Sequence, residues 1–224
     1  MTESSALLPC VELNPPGDVR ASVIWLHGLG ADGHDFEAVV PDLGVQTLAI
    51  RFVFPHAPSM PVTINNGSVM PAWYDIVSQD FYQQQDQVGI ERSGEQLRAL
   101  IRRERDAGIA AKHIILAGFS QGGAIVLHTG LRYPHRLGGI MALSTYLPLA
   151  DSLEAEAHAA NKDVPIFMAQ GTEDPVVPPI LAENSKDLLV RQGYPVEWHR
   201  YDMPHAVVPK EINDIAAWLR KVLK

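Results

Sequence analysis

Apolar residues cluster in six short runs, at positions 21–26, 48–54, 113–117, 139–143, 164–169 and 196–201. Most of these runs lack strict polar–apolar alternation. That pattern predicts strands covered on both faces, as in a parallel sheet. Between them the period lengthens toward that of a helix. Leu97, Leu100 and Ile101 share one helix face, and Gly108 supplies a C-terminal stop. Residues 122–133 read as a buried helix closed by Pro134, and residues 180–190 as another. Val208, Ile212, Ile215, Leu219 and Val222 follow the i, i+3, i+4, i+7 rule of an amphipathic helix. Strands alternating with helices predict an α/β fold with a mostly parallel sheet flanked by helices. One stretch, 55–90, shows no strong period and is broken by Pro55, Pro58, Pro61, Pro71 and Asn66-Gly67. An irregular connection of that length is usually functional. Its apolar residues Met60, Val62, Met70, Trp73, Tyr74, Phe81 and Tyr82 are expected either to wall a substrate groove or to pack as a flap.

Composition narrows the function. A chain of 224 residues is expected to form one domain, 1–224, with a sizeable core and no large separate lid. Its 18 basic residues against 26 acidic ones give a net charge of −8, a poor basis for binding nucleic acid. The single cysteine, Cys10, excludes an internal disulfide framework and fits a reducing compartment. No apolar run approaches the ~18 residues of a membrane helix, so no integral membrane contact is expected. Residues 1–12 lack the basic cluster and apolar run of a signal peptide, and the cytoplasm is the expected location. With no H-E-x-x-H, no C-x-x-C and no close histidine pair, neither a metal nor another cofactor is expected. Oligomeric state is open, a homodimer included.

The strongest chemical signal is Gly118-Phe119-Ser120-Gln121-Gly122, between an expected strand and an expected buried helix. That is the setting of a nucleophile elbow. Flanking glycines remove the Cβ atoms that would collide where strand turns into helix, and the serine is held on a strained turn. Its hydroxyl then points over the carboxyl ends of the strands, beside the next residue's N–H at the positive end of a helix. The plainer reading is a glycine-rich turn with a capping serine.

A serine needs a base to take its proton. In this topology the acid follows the serine and the histidine comes last. Of the later histidines, His128 lies in a buried helix, His135 follows a proline turn, His158 sits in an expected polar helix and His199 within a strand. His205, in Asp202-Met203-Pro204-His205, falls on a loop at the sheet edge that carries the elbow, and is expected to be the general base. The acid belongs on the loop after the preceding strand, Gln170-Gly171-Thr172-Glu173-Asp174-Pro175. Asp174 precedes a proline, which suits a fixed turn, but Glu173 competes with it.

The first strand is followed by His27-Gly28-Leu29-Gly30-Ala31-Asp32-Gly33, which contains G-x-G-x-x-G. As a dinucleotide fingerprint it points to an NAD(P)-dependent oxidoreductase. Against that, the second strand ends without an acid for the ribose, and Asp32 carries the wrong charge beside a pyrophosphate. The alternative use is an oxyanion hole, with the Leu29 N–H pairing with that of Gln121 around a carbonyl oxygen. A non-catalytic binding module of the same fold is a third reading.

Taken with Pro55-His56-Ala57-Pro58, Met70-Pro71-Ala72-Trp73-Tyr74-Asp75 and Gly171-Thr172-Glu173-Asp174-Pro175-Val176-Val177-Pro178, these segments resemble the α/β-hydrolase fold. More narrowly, they resemble the bacterial carboxylesterase and acyl-protein thioesterase (phospholipase/carboxylesterase) family. The resemblance implies a triad of Ser120, His205 and Asp174, and selects Asp174 over Glu173. It implies oxyanion donors at Leu29 and Gln121, no cofactor, and hydrolysis of carboxylic esters or thioesters. Small esters, lysophospholipids and acylated proteins all remain open as substrates. A shallow groove for short to medium acyl chains is expected at Met60, Val62, Met70, Trp73 and Val177.

Overall fold

The computed structural model describes residues 7–78 and 84–224. Along the chain run β1 (Cys10–Leu13), β2 (Ala21–Leu26), α1 (Val40–Leu43), β3 (Ile50–Pro55), β4 (Ser59–Val62), β5 (Ser68–Pro71), α2 (Gln87–Asp106) and β6 (Ile114–Phe119). There follow α3 (Gln121–Leu131), β7 (Gly139–Leu143), α4 (Leu153–Glu156), β8 (Ile166–Gly171), α5 (Pro179–Arg191), β9 (Val196–Tyr201) and α6 (Pro209–Val222). Among the described residues, seven strands form one sheet in the order β1-β3-β2-β6-β7-β8-β9. Only β1 runs antiparallel to its neighbour; the other pairs are parallel.

The missing alternation in the apolar runs has a direct cause. Side chains of β2 point to opposite faces in turn. Ile24 and Leu26 join a core with Leu97 and Leu100 of α2 and Ile125 of α3. Val23 and Trp25 join a second core with Phe36 and, from α6, Ile215 and Leu219. Both faces of the strand are therefore dry, and every position but Ser22 is apolar. Because β3, β2, β6, β7, β8 and β9 are parallel, their carboxyl ends share one rim, where open α/β sheets bind ligands. No helix among the described residues is long and apolar enough to cross a membrane.

The structure corrects several expectations. The 55–90 stretch is not wholly irregular. It holds an antiparallel hairpin of β4 and β5, and α2 begins at Gln87, capped by Asp86, whose carboxylate accepts the Gly89 N–H at 2.9 Å. Asn66 and Gly67 turn the hairpin with φ of 55° and 74°, so their dipeptide was the readable signal. The two prolines hid the strands, because proline is tolerated only where the missing donor faces outward. Phe81 and Tyr82 lie outside the described residues. The second predicted strand starts later, at Ile50, because residues 46–48 form a 3₁₀ turn ended by Ala49 at φ 52°. His158 is not in a polar helix: it caps a 3₁₀ turn, its Nδ1 accepting the Ala160 N–H at 3.1 Å.

His128 lies buried on α3, as its helix pattern predicts. Burial, then the charges of Arg132 and Arg98, push its pKa down to about 3. Between pH 6.5 and that value only the unfolded chain takes up the proton. Stability therefore falls as pH drops through this window, by about 1.4 kcal/mol per unit. We expect His128→Gln to move acid unfolding to lower pH. An unchanged acid midpoint in pH titrations followed by circular dichroism would contradict this.

Candidate active site

Ser120 sits between β6 and α3 with φ 53° and ψ −121°, outside the regions favoured by a non-glycine residue. Such a conformation costs on the order of 1–3 kcal/mol and persists only where its surroundings impose it. Here its N–H donates to the Leu143 carbonyl at 2.8 Å, and its carbonyl accepts the Thr145 hydroxyl at 2.7 Å. The elbow glycines have no room for a side chain. A Cβ on Gly118 would lie 2.4 Å from the Gly122 carbonyl, and one on Gly122 would lie 2.5 Å from the Leu26 carbonyl. Gly122→Ala is accordingly expected to yield little folded, active protein. Wild-type yield and activity would contradict that crowding.

Asp174 and His205 come from the loops after β8 and β9. The Asp174 side chain is buried, and its Oδ2 accepts from His205 Nδ1 at 2.7 Å. Its Oδ1 accepts the N–H groups of Val176 and Val177, both at 2.9 Å. Burial alone would raise this carboxyl. The His205 hydrogen bond and the Val177 and Val176 amides outweigh it and hold the group below its ordinary value. Glu173 is exposed, and its N–H is bound to the Met203 carbonyl at 3.2 Å, so the competing acid points to solvent while its backbone splints the two loops together. Gly171 permits this contact: a Cβ there would lie 2.4 Å from the Met203 carbonyl. The His205 ring packs on Phe119, the residue before Ser120, with centroids 4.7 Å apart.

The first glycine loop lies against the elbow. A Cβ on Gly28 would sit 3.4 Å from the Ser120 Cβ. The candidate donor Leu29 is held through its own peptide plane. The Gly28 carbonyl, in the same rigid unit as the Leu29 N–H, accepts from His27 Nδ1 at 2.7 Å. His27 Nε2 accepts the Ala57 N–H at 3.1 Å, so the ring proton belongs on Nδ1. Burial keeps the His27 pKa below its ordinary value, which preserves the neutral ring. Gln121 opens α3, where the first N–H groups of a helix have no partner within it. The dinucleotide reading lacks the helix it requires: the loop leads into a 3₁₀ turn and the four-residue α1.

The five residues expected to line a groove divide. Met60 and Met70 pair across the hairpin and stay partly exposed. Val62, Trp73 and Val177 are buried, and their side chains offer no open face. Sequence reasoning missed exposed Val69 on the hairpin and exposed Val176 on the acid loop. It also missed Gln170, whose Nε2 donates to Asp174 Oδ2 and to the Val177 carbonyl, both at 3.0 Å. A polar residue ending an apolar strand run was the available signal. Cys10 offers no rival nucleophile. Burial, above all, pushes its thiol up to about 11.

The family model for phospholipase/carboxylesterase matches residues 11–223. Acyl-protein thioesterase 1 of Yarrowia lipolytica is 38% identical over 222 residues, covering 96% of this chain and 98% of that protein. Acyl-protein thioesterase 1 of Schizosaccharomyces pombe is 42% identical over 186 residues, 83% of each. Among solved structures, Arabidopsis thaliana SOBER1 superposes with a TM-score of 0.86 at 30% identity, covering 92% of this chain and 100% of that one. Zea mays acyl-protein thioesterase 2 superposes with a TM-score of 0.86 at 27% identity, covering 96% and 99%. The α/β-hydrolase fold is common to all of them.

Proposed function

The chain belongs to the phospholipase/carboxylesterase family, whose members are serine hydrolases acting on ester bonds, and from that premise we propose that Ser120, His205 and Asp174 hydrolyse carboxylic esters and acyl thioesters. The single observation carrying the residue roles is the 2.7 Å hydrogen bond from His205 Nδ1 to Asp174 Oδ2, with the same imidazole packed on Phe119, the residue before the elbow serine. Ser120 Oγ attacks the carbonyl carbon while His205 Nε2 takes its proton. The N–H groups of Leu29 and Gln121 receive the oxyanion. The tetrahedral intermediate collapses, and His205 returns the proton to the departing alcohol or thiol. Water, activated by the same imidazole, then releases the acid from the acyl-serine. Asp174 stays ionised throughout and stabilises the imidazolium.

The thioesterase relatives support including the thioester, and a thiol leaves more readily than an alcohol. Partly exposed Met70, whose sulfur lies 3.8 Å from where a Cβ on Gly30 would stand, and exposed Val176 of the acid loop are the apolar side chains offered to the acyl chain. Each chain carries its full set of reacting groups, so the chemistry does not require a homodimer. The lone cysteine fits the reducing environment of a cytoplasmic setting.

A panel of p-nitrophenyl esters and acyl thioesters of rising chain length, with Ser120→Ala as blank, tests this reading. Turnover of both bond types that vanishes in the blank is expected. No turnover of any member by folded wild-type protein would favour a binding module instead.

A further inference from the structure

Trp73 was expected at the substrate groove, yet only 1% of its surface is exposed. All of its polar groups are engaged inside the protein. Its indole N–H donates to the His27 carbonyl at 2.9 Å, and its ring lies 5.1 Å from the His27 ring. Its backbone N–H donates to Gln121 Oε1 at 2.8 Å. Gln121 Nε2 in turn donates to the Tyr74 carbonyl at 2.7 Å, so the Gln121 amide grips two consecutive backbone groups. The Ser93 hydroxyl of α2 donates to the Trp73 carbonyl.

One residue thus touches both walls of the oxyanion site. On one side stands His27, whose imidazole orients the peptide carrying the Leu29 N–H. On the other stands Gln121, whose own N–H is the second donor. The Leu29 wall is a loop with glycines at 28, 30 and 33 that lies in no helix or strand of its own and is tied to β5 by the Gly30 N–H, which donates to the Pro71 carbonyl at 2.9 Å. Soft backbone is a poor host for a preorganised donor pair, because the reaction then has to fund the ordering.

We propose that Trp73 is a positioning residue, a strut that sets the gap and mutual angle of the Leu29 and Gln121 donors, with Ser93 anchoring it to α2. This rests on the hydrolase reading above. The strut contacts no substrate, so its loss acts on the transition state and spares ground-state binding.

Trp73→Phe keeps an aromatic side chain, though a smaller one, and removes the indole donor. We expect kcat, per active site counted by fluorophosphonate titration, to fall about 10- to 100-fold, a part of the ~10²–10³ lost when a donor is deleted outright. KM should stay within about threefold. Affinity for a trifluoromethyl ketone, which forms an oxyanion on Ser120, should weaken by the same factor as kcat. Gln121→Met removes the other grip, and the double variant should be little worse than the poorer single, because both act through one strut. Where Trp73→Phe fails to fold, Ser93→Ala and Gln121→Met carry the same test. Variants that lose only melting temperature or active titre, with kcat per site and ketone affinity intact, would overturn the strut. Ser120→Ala separates the two ideas. If it is dead while the Trp73 variants are normal, only the strut fails; if it hydrolyses normally, the hydrolase reading fails with it.

Discussion

Ser120→Ala is expected to lower kcat for ester hydrolysis by on the order of 10⁶, with substrate binding and folding retained. Alanine keeps the Cβ and meets the same backbone strain at φ 53°, so the elbow should persist. What disappears is the proposed attacking oxygen. A residual rate above water, from the Leu29 and Gln121 amides alone, is consistent with this. The comparison requires purified variant, steady-state turnover and a melting curve. A variant that melts like wild type yet keeps a hundredth or more of its activity would show that another group attacks the carbonyl.

Asp174→Asn should lower turnover by about 10⁴, and the hydrogen bonds around it say how. One side of the carboxylate faces two backbone N–H groups, from Val176 and Val177. The other faces His205 Nδ1 and Gln170 Nε2. An asparagine must turn its carbonyl oxygen to the two amides and its NH₂ toward His205. The imidazole then presents a lone pair at Nδ1 and carries its proton on Nε2, where it is no longer a base toward Ser120. Glu173→Gln, exposed and one residue away, should leave turnover unchanged. Because the Asp174 pKa lies below the ordinary carboxyl value, it is already ionised well into mild acid. Its contribution to stability is present above the unfolded-state value and is lost only as pH falls through the lower folded one. Near-normal turnover in Asp174→Asn, with loss in Glu173→Gln, would reassign the acid.

The parallel sheet was legible because burial on both faces favours apolar runs without alternation, as in β6 and β7. The elbow was legible because glycine is compulsory where Gly122 meets the Leu26 and His27 carbonyls. The edge strand β1 was not, since it is short and only half covered. Trp73 and Val62 were misread for a simple reason. A large apolar residue in a loop looks the same whether it faces ligand or core, and only the fold says which. The Gln121 amide was silent for the opposite reason: its partners lie far away in the chain, and no local period marks such a bond.

The most direct test is to catch the covalent intermediate. Mixing enzyme with excess activated ester, quenching in acid within the burst phase and mapping the adduct by peptide mass spectrometry reads the attacking atom itself. The account predicts one acyl group on the peptide containing Ser120, forming no more slowly than turnover and absent from Ser120→Ala. Undiminished turnover with the acyl group on any other residue, or with none at all, would contradict it.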